Sequence, residues 1–506
     1  MSKSRRRVFL TRNPQAVPNL PRWAAAAKPT SPYALLAVGV LAAATGCGSV
    51  SDKHPSPMPV LGGAIGGGGI DGYLNVYVID ADTNAVIPSA AVQVSASATA
   101  APCSRTTDST GLAVFDPTSC AGLRGKVTVT ASASSYAPTT WIGANGANMT
   151  INIQQTVRPA PDTANVSGTI AGWETLPAPA ANHTTIALVG ASQTSNLGDL
   201  ANSIQQPTRT VQIAGTGLTT TIPANACVRN ALADDCNWQL IARTGAQAHF
   251  AIIVDSDDNG TPDDMSDDVV TPVGWALLTG LDLSVGQSVT GEALPLVGAG
   301  DLQTFTAAFP ALPAGMSTFN AYPAIELPGG QGRIPVVVPT LGPAVTMTSV
   351  PRLGGASTIG LVGGSYDLLA QAQATKTAAQ PATLAWMHGV NAATTVTLGS
   401  WLPAPTAIMA SAGTYSFVPV SGATLHGAEF KDPSSGARTW SVTILDGSTT
   451  FTLPGLSPDP LTTSTGMDTL TVSALLIPGI DLSDVRFDDA EQKLTDLSSD
   501  QISVSP

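Results

Sequence analysis

An all-β chain built of tandem sandwiches is what this sequence predicts, on three observations. Only 11% of the 506 residues are charged, so the Glu-, Lys- and Leu-rich amphipathic stretches of long helices are missing. Glycine and proline number 49 and 39; both interrupt helices and shape turns. Between them lie short runs of alternating character rich in β-branched and aromatic residues, such as Tyr73-Leu-Asn-Val-Tyr-Val-Ile79. The roughly 460 residues that follow the N-terminal segment are too many for one sandwich, so three or four domains are expected.

Residues 1–46 read as a signal peptide. Seven basic residues (Lys3, Arg5, Arg6, Arg7, Arg12, Arg22 and Lys28) precede the apolar run Tyr33-Ala-Leu-Leu-Ala-Val-Gly-Val-Leu-Ala-Ala-Ala44. That run is too short to span a bilayer permanently. The residues Leu41-Ala-Ala-Ala-Thr-Gly-Cys47 resemble the lipoprotein box of bacterial lipoproteins, with Ala44 where that family most often has Leu. The resemblance implies that Cys47 is lipidated with palmitate-type acyl chains and becomes the first residue of the mature chain. Gly48 stands where that family places Asp for inner-membrane retention, which implies the outer membrane. Arg6-Arg7-Val-Phe-Leu10 also resembles a twin-arginine export motif, although Pro14, Pro18, Pro21 and Pro29 separate it from the apolar run.

Removing those seven bases from 22 leaves 15 Lys and Arg against 35 Asp and Glu, a net of −20. Such a chain repels nucleic acid and anionic membrane surfaces. The expected partners are therefore the membrane through the lipid, and a protein, glycan or matrix component.

Taken in order, residues 47–70 are expected to be a tether, with prolines followed by Gly62-Gly-Ala-Ile-Gly-Gly-Gly-Gly69 giving reach and burying nothing. Residues 71–156 read as a compact sandwich: Ala90-Ala-Val-Gln-Val94, Leu112-Ala-Val-Phe115, Val127-Thr-Val-Thr-Ala131 and Met149-Thr-Ile-Asn-Ile153 follow the first strand. The order Val78-Ile-Asp80, Thr107-Asp-Ser-Thr-Gly111, Phe115, then Tyr136-Ala-Pro138 resembles the carboxypeptidase regulatory-like, transthyretin-like family. The resemblance implies a non-catalytic exported β-sandwich module. Asp108 is expected to bond its own turn, Gly111 to take positive φ, and Phe115 to enter the core.

Residues 163–298 read as a second sandwich around Thr185-Ile-Ala-Leu-Val189, Trp238-Gln-Leu-Ile-Ala242 and His249-Phe-Ala-Ile-Ile-Val254. They resemble prealbumin-like modules more loosely. Residues 299–506 carry strand-like runs at 334–338, 345–350, 395–398, 415–420, 440–445 and 450–453, with a soft boundary near 400, and a partly helical stretch over 488–497. With Cys47 lipidated, four cysteines remain. Cys103 with Cys120 and Cys227 with Cys236 are the local pairs expected as disulfides, although three connectivities are open. Zinc is disfavoured because neither pair has CxxC spacing.

Asp255-Ser-Asp-Asp-Asn-Gly-Thr-Pro-Asp263 places oxygen side chains at Asp255, Asp257, Asn259, Thr261 and Asp263, with a turn glycine at Gly260. That matches the first half of a calcium loop. The twelfth position is Ser266 instead of Glu. It resembles the loops of thrombospondin type three and dockerin modules. The bland alternative is a solvated acidic turn. No catalytic residue is assigned: His54, His183, His249, His388 and His426 stand in no zinc-protease spacing, and no nucleophile elbow occurs. The expected function is a non-catalytic envelope lipoprotein presenting sandwiches for binding or structural roles. The alternative is an exported glycoside-hydrolase-type enzyme with paired carboxylates in 299–506.

Overall fold

The computed structural model of the chain describes residues 58–96, 101–157, 160–195, 204–212, 219–231, 233–260, 268–336, 344–353, 359, 361–374, 381–390, 395–432, 434–457, 459–461 and 467–504. The signal peptide and Cys47 lie outside these residues. The architecture is all-β. Its backbone is a sheet of twelve strands, ordered Arg333–Pro335, Thr318–Glu326, Ser365–Gln373, Ala382–Val390, Asp496–Val504, Asp468–Leu476, Leu425–Lys431, Arg438–Ile444, Thr139–Ala144, Val127–Ser132, Ala91–Ser95 and Cys103–Thr106. Late and early chain meet where Ser441–Ile444 runs parallel to Thr139–Ile142. There the Trp440 indole N–H donates to Thr140 Oγ1 at 3.0 Å.

A second sheet covers the early end, with Leu112–Phe115, Leu74–Asp80, Asn148–Gln155, Ala64–Gly66 and Val485–Arg486 in spatial order. Leu74, Val76, Val78, Phe115, Val92, Val129, Trp141 and Ile151 interdigitate between the two sheets, and Phe487, Leu494 and Leu497 complete the same core from the far end of the chain. Asp108 Oδ1 accepts the backbone N–H groups of Thr110 and Leu112. Gly111 has φ of 75°; a Cβ there would sit 3.0 Å from the Val78 carbonyl. Both features are local consequences of the Asp-Ser-Thr-Gly turn. Cys103 is joined to Cys120, tying the edge strand of the long sheet to its own sandwich.

One expectation is corrected here. The glycine-rich stretch does not simply bridge: Ala64–Gly66 is a strand paired on both sides, and Ile65 and Ile70 are buried. The alternation of glycine with Ala64 and Ile65 masked a short strand, because the glycines let the chain press against Asn148 and Thr150. Only the part up to residue 57 lies outside the described residues.

Residues 163–298 form two main sheets of three and five strands and a two-stranded ribbon, Thr208–Gln212 with Thr219–Pro223. Thr163–Ala171 lies between Trp238–Arg243 and Ser288–Pro295; opposite it, His183–Ala191 and Gly245–Asp257 stand at the centre of the five-stranded sheet, with Val269–Leu283 beyond. Val166, Trp238, Leu240, Ile253 and Leu294 fill the gap. Cys227 is joined to Cys236. The outer face of the five-stranded sheet (Ile186, Phe250, Ile252, Trp275) is also buried, against Phe305, Ile325, Tyr366 and Leu368. Each such fully buried side chain contributes about 1.5–3 kcal/mol of apolar transfer.

The helix expected over 488–497 is shorter. It runs Phe487–Lys493, and Asp496–Val504 is instead a strand between Ala382–Val390 and Asp468–Leu476. The Glu-Gln-Lys segment keeps its helix, while sheet pairing on both sides claims the residues from Asp496 onward.

Candidate functional site

The acidic turn follows strand Gly245–Asp257. Because strand residues alternate faces, Asp255 and Asp257 point the same way, and antiparallel register sets His183 across from Asp257. His183 Nδ1 donates to Asp255 Oδ2 at 2.6 Å, and its Nε2 lies 3.5 Å from Asp257 Oδ2. The hydrogen bond to Asp255 lifts His183 above the usual imidazole range despite some desolvation, and the charges of Asp255, Asp257 and Asp258 add to it. The bend is made by Asn259 and Gly260, both at positive φ. Asp257 Oδ1 accepts the Asn259 N–H, and Asp258 Oδ1 the Gly260 N–H.

Of the five oxygen donors expected for calcium, the structure thus brings Asp255 and Asp257 together and places Asn259 in the bend. Thr261 and Asp263 lie outside the described residues. Among the described residues no group of three or more His, Cys, Asp and Glu is arranged to hold a metal ion. His183 was not singled out in the sequence because its contact comes from strand register, across 72 residues.

A second cluster lies in 299–506. Strand pairing sets Glu326 opposite Arg333 and Ala324 opposite Asp367, so the three charged side chains share one face. Arg333 is their hub. Its Nε donates to Glu326 Oε2, its Nη2 lies 3.1 Å from Asp367 Oδ2, and its guanidinium carbon sits 5.1 Å over the Trp386 ring. Asp367 also accepts from His388 Nδ1 at 3.3 Å and from the Gly389 N–H at 3.4 Å. Glu491, from the helix Phe487–Lys493, is near enough for its charge to couple to Arg333, His388 and Glu326. Desolvation pushes Glu326 up against the pull of Arg333. Burial pushes Glu491 up to about 7; Arg333 and His388 oppose the rise, and the charges of Glu326 and Asp488 reinforce it. Five separate elements supply these residues, so no spacing in the sequence could have announced them.

The remaining described histidines are engaged by the fold. His249 Nδ1 is 2.7 Å from Glu292 Oε1 in the core of the second sandwich. His426 Nε2 accepts the Val420 N–H at 3.1 Å, and burial pushes its pKa down. Among three clefts, the roomiest, about 690 Å³ counting its open mouth, is lined by Asn165, Ser167, Gln239 and Ser288 and by apolar neighbours. Two smaller ones share Arg438 and Ser441. None of the three is lined by Glu326, Asp367 or Glu491. A glycan face would need exposed aromatic rings, but Trp141, Trp173, Trp275 and Trp386 are buried, and Trp401 is half-buried.

No family model matches the chain, and no curated protein does. Solved structures to which the chain shows similarity include the TIE protein of Bacillus anthracis, at 9% identity over 64% of this chain and 50% of that one, TM-score 0.14. The major pilin subunit BcpA of Bacillus cereus matches at 8% identity over 60% of this chain and 87% of that one, TM-score 0.14. Two B repeat units of the collagen-binding protein of Staphylococcus aureus match at 12% identity over 81% and 96%, TM-score 0.12. The chain spans half the length of the first of these. At such TM-scores none superposes on it as a whole, and none bears on what it does.

Proposed function

We propose that this chain is an exported envelope lipoprotein, held by an acylated Cys47, whose β-sandwich body is non-catalytic and serves binding or scaffolding. The observation that carries the reading is the continuous twelve-stranded sheet, which joins the first sandwich to the last strand of the chain. Behind a lipid and a short spacer, such a body presents its loop rims as one rigid unit. Two disulfides suit an oxidising compartment. The described histidines are engaged by neighbouring groups, and Arg333 holds Glu326 and Asp367 in ion pairs, which supports a non-catalytic role. The sandwich over 71–156 is taken as the carboxypeptidase regulatory-like module. The acidic turn is taken as a calcium site that stiffens the rim of the second sandwich, with Asp255, Asp257, Asn259, Thr261 and Asp263 as its donors. The ligand is a protein, glycan or matrix component.

Labelled palmitate tests the anchor: incorporation into the wild-type chain and its loss in Cys47→Ala are expected, and an unlabelled wild type would refute it. The hydrolase alternative is favoured by one observation, the near-neutral Glu491, which falls in the range of a general acid. A panel of chromogenic glycosides separates the readings. Turnover by the wild type that disappears in Glu491→Gln would overturn the non-catalytic one.

A further inference from the structure

We propose that the bend after strand Gly245–Asp257 is a self-modification site, at which Asn259 closes on the Gly260 nitrogen, sheds ammonia and becomes aspartate or isoaspartate without an enzyme. This goes beyond the binding role and does not depend on it.

The chemistry needs asparagine, glycine and water. The Gly260 nitrogen attacks Asn259 Cγ and gives up its proton as the N–Cγ bond forms. The Cγ–Nδ2 bond breaks, and the amide nitrogen leaves as ammonia with that proton, so a five-membered imide remains. Water then opens the ring. Cleavage of the N–Cγ bond leaves aspartate in an unaltered main chain. Cleavage between the nitrogen and the Asn259 carbonyl carbon leaves isoaspartate, with the chain routed through the former side chain. Nothing is oxidised or reduced. Glycine suits the second position because a Cβ would crowd the attacking nitrogen.

Asparagine precedes glycine twice in the chain, at 145–146 and 259–260, and the fold treats the two differently. Asn259 and Gly260 are exposed in the bend, both at positive φ. Among the described residues, a Cβ on Gly260 would meet just Asn182 Nδ2, at 3.6 Å, which leaves the ring room to form. The Gly260 N–H donates there to one acceptor, Asp258 Oδ1 at 2.8 Å. Such an exposed bond restrains the nitrogen by a factor of about 2 to 12.

Asn145, by contrast, accepts the Ile70 N–H through Oδ1 at 3.3 Å. Gly146 is buried, and a Cβ there would lie 2.5 Å from Ile65 Cγ2 and 2.8 Å from the Gly66 carbonyl oxygen. The Ala147 N–H also donates to the Gly68 carbonyl at 2.8 Å. Ring closure at Asn145 therefore waits for strand Ala64–Gly66 to leave its sheet, which slows it by about a hundredfold or more.

The product puts a carboxylate where Asn259 had a neutral amide, in the same turn as Asp255, Asp257 and Asp258. The iso form also lengthens the main chain of the bend by a methylene. The rim of the second sandwich thus gains charge and changes shape as the molecule ages.

Peptide mapping by mass spectrometry tests this on the full folded chain, kept warm in mildly alkaline buffer with a chelator so that no cation braces the turn. A gain of one mass unit at Asn259, with isoaspartate detected by enzymatic methyl transfer, should run about a hundredfold ahead of the same change at Asn145. In the urea-unfolded control the two sites should convert at like rates. Asp258→Ala should quicken conversion at Asn259 by about 2- to 12-fold without moving the urea midpoint; an unmoved rate would strike out the restraint ascribed to that bond. Either of two results would overturn the proposal: a folded chain in which Asn259 stays intact while both sites convert in urea, or one in which Asn145 keeps pace with Asn259.

Discussion

Phe487→Ala should loosen the first sandwich, although Phe487 stands near the opposite end of the chain. Its side chain is 2% exposed and packs on Trp141 with ring centroids 5.0 Å apart and planes tilted 58°. It shares one core with Leu74, Val78, Phe115 and Val129. Truncation of a buried phenylalanine costs about 3–5 kcal/mol, of which the aromatic pair accounts for about 0.5–1.5 kcal/mol. At about 1.4 kcal/mol per decade, a 4 kcal/mol loss lowers exchange protection about a thousandfold in whatever unfolds with this core. Hydrogen exchange resolved to segments is the assay. Leu74–Asp80 and Val127–Ser132 should lose protection along with 485–494. The reasoning fails if only 485–494 is affected while Leu74–Asp80 stays within about twofold of wild type, because the core would then not be shared.

Three further outcomes follow from named contacts. Cys103→Ser with Cys120→Ser opens a loop of sequence separation 17 and should cost about 3 kcal/mol in the chain-entropy model, read as a lower urea midpoint; an unchanged midpoint counts against it. Asp80 is 2% exposed; desolvation raises its pKa, but hydrogen bonds from Tyr136, Gln155 and two backbone N–H groups more than offset this and hold it below 3.8. Its ionised form therefore adds stability above about pH 3.8 that is lost as the pH falls towards the depressed value. Tyr136→Phe, which removes a 2.7 Å bond to Asp80, should cost about 1.5–3 kcal/mol at pH 7 and progressively less in acid melts. For the acidic turn, calorimetry with millimolar calcium should give heat in the wild type and none in Asp255→Asn with Asp257→Asn; no heat in the wild type would remove the calcium proposal.

Strands with an alternating pattern rich in β-branched and aromatic residues could be read directly from the sequence. Leu74–Asp80, Val127–Ser132, His183–Ala191, Trp238–Arg243 and Arg438–Ile444 all fall where the pattern placed them. Their turns were equally readable, since Asp108 and Gly111 act within a few residues of themselves. Among the strands that escaped, Ser365–Gln373, Ala382–Val390, Leu425–Lys431, Asp468–Leu476 and Asp496–Val504 form the middle of the long sheet. They are largely buried on both faces, and most carry Ala, Ser, Gly or Gln where the readable strands carry Val, Ile or aromatics, which weakens the pattern. The parallel pairing of 441–444 with 139–142 depends on tertiary packing and leaves no local trace. The same holds for the sites. The acidic turn is contiguous and visible, whereas His183 beside it and the group around Arg333 exist only once distant strands are in register.

Cell fractionation with thiol titration tests the anchored, oxidised body most directly. The wild-type chain should sediment with the envelope and show Cys103, Cys120, Cys227 and Cys236 blocked as disulfides, while Cys47→Ala should move to the soluble exported fraction with the same four blocked. A wild-type chain recovered from the cytosol with reactive thiols would contradict the account.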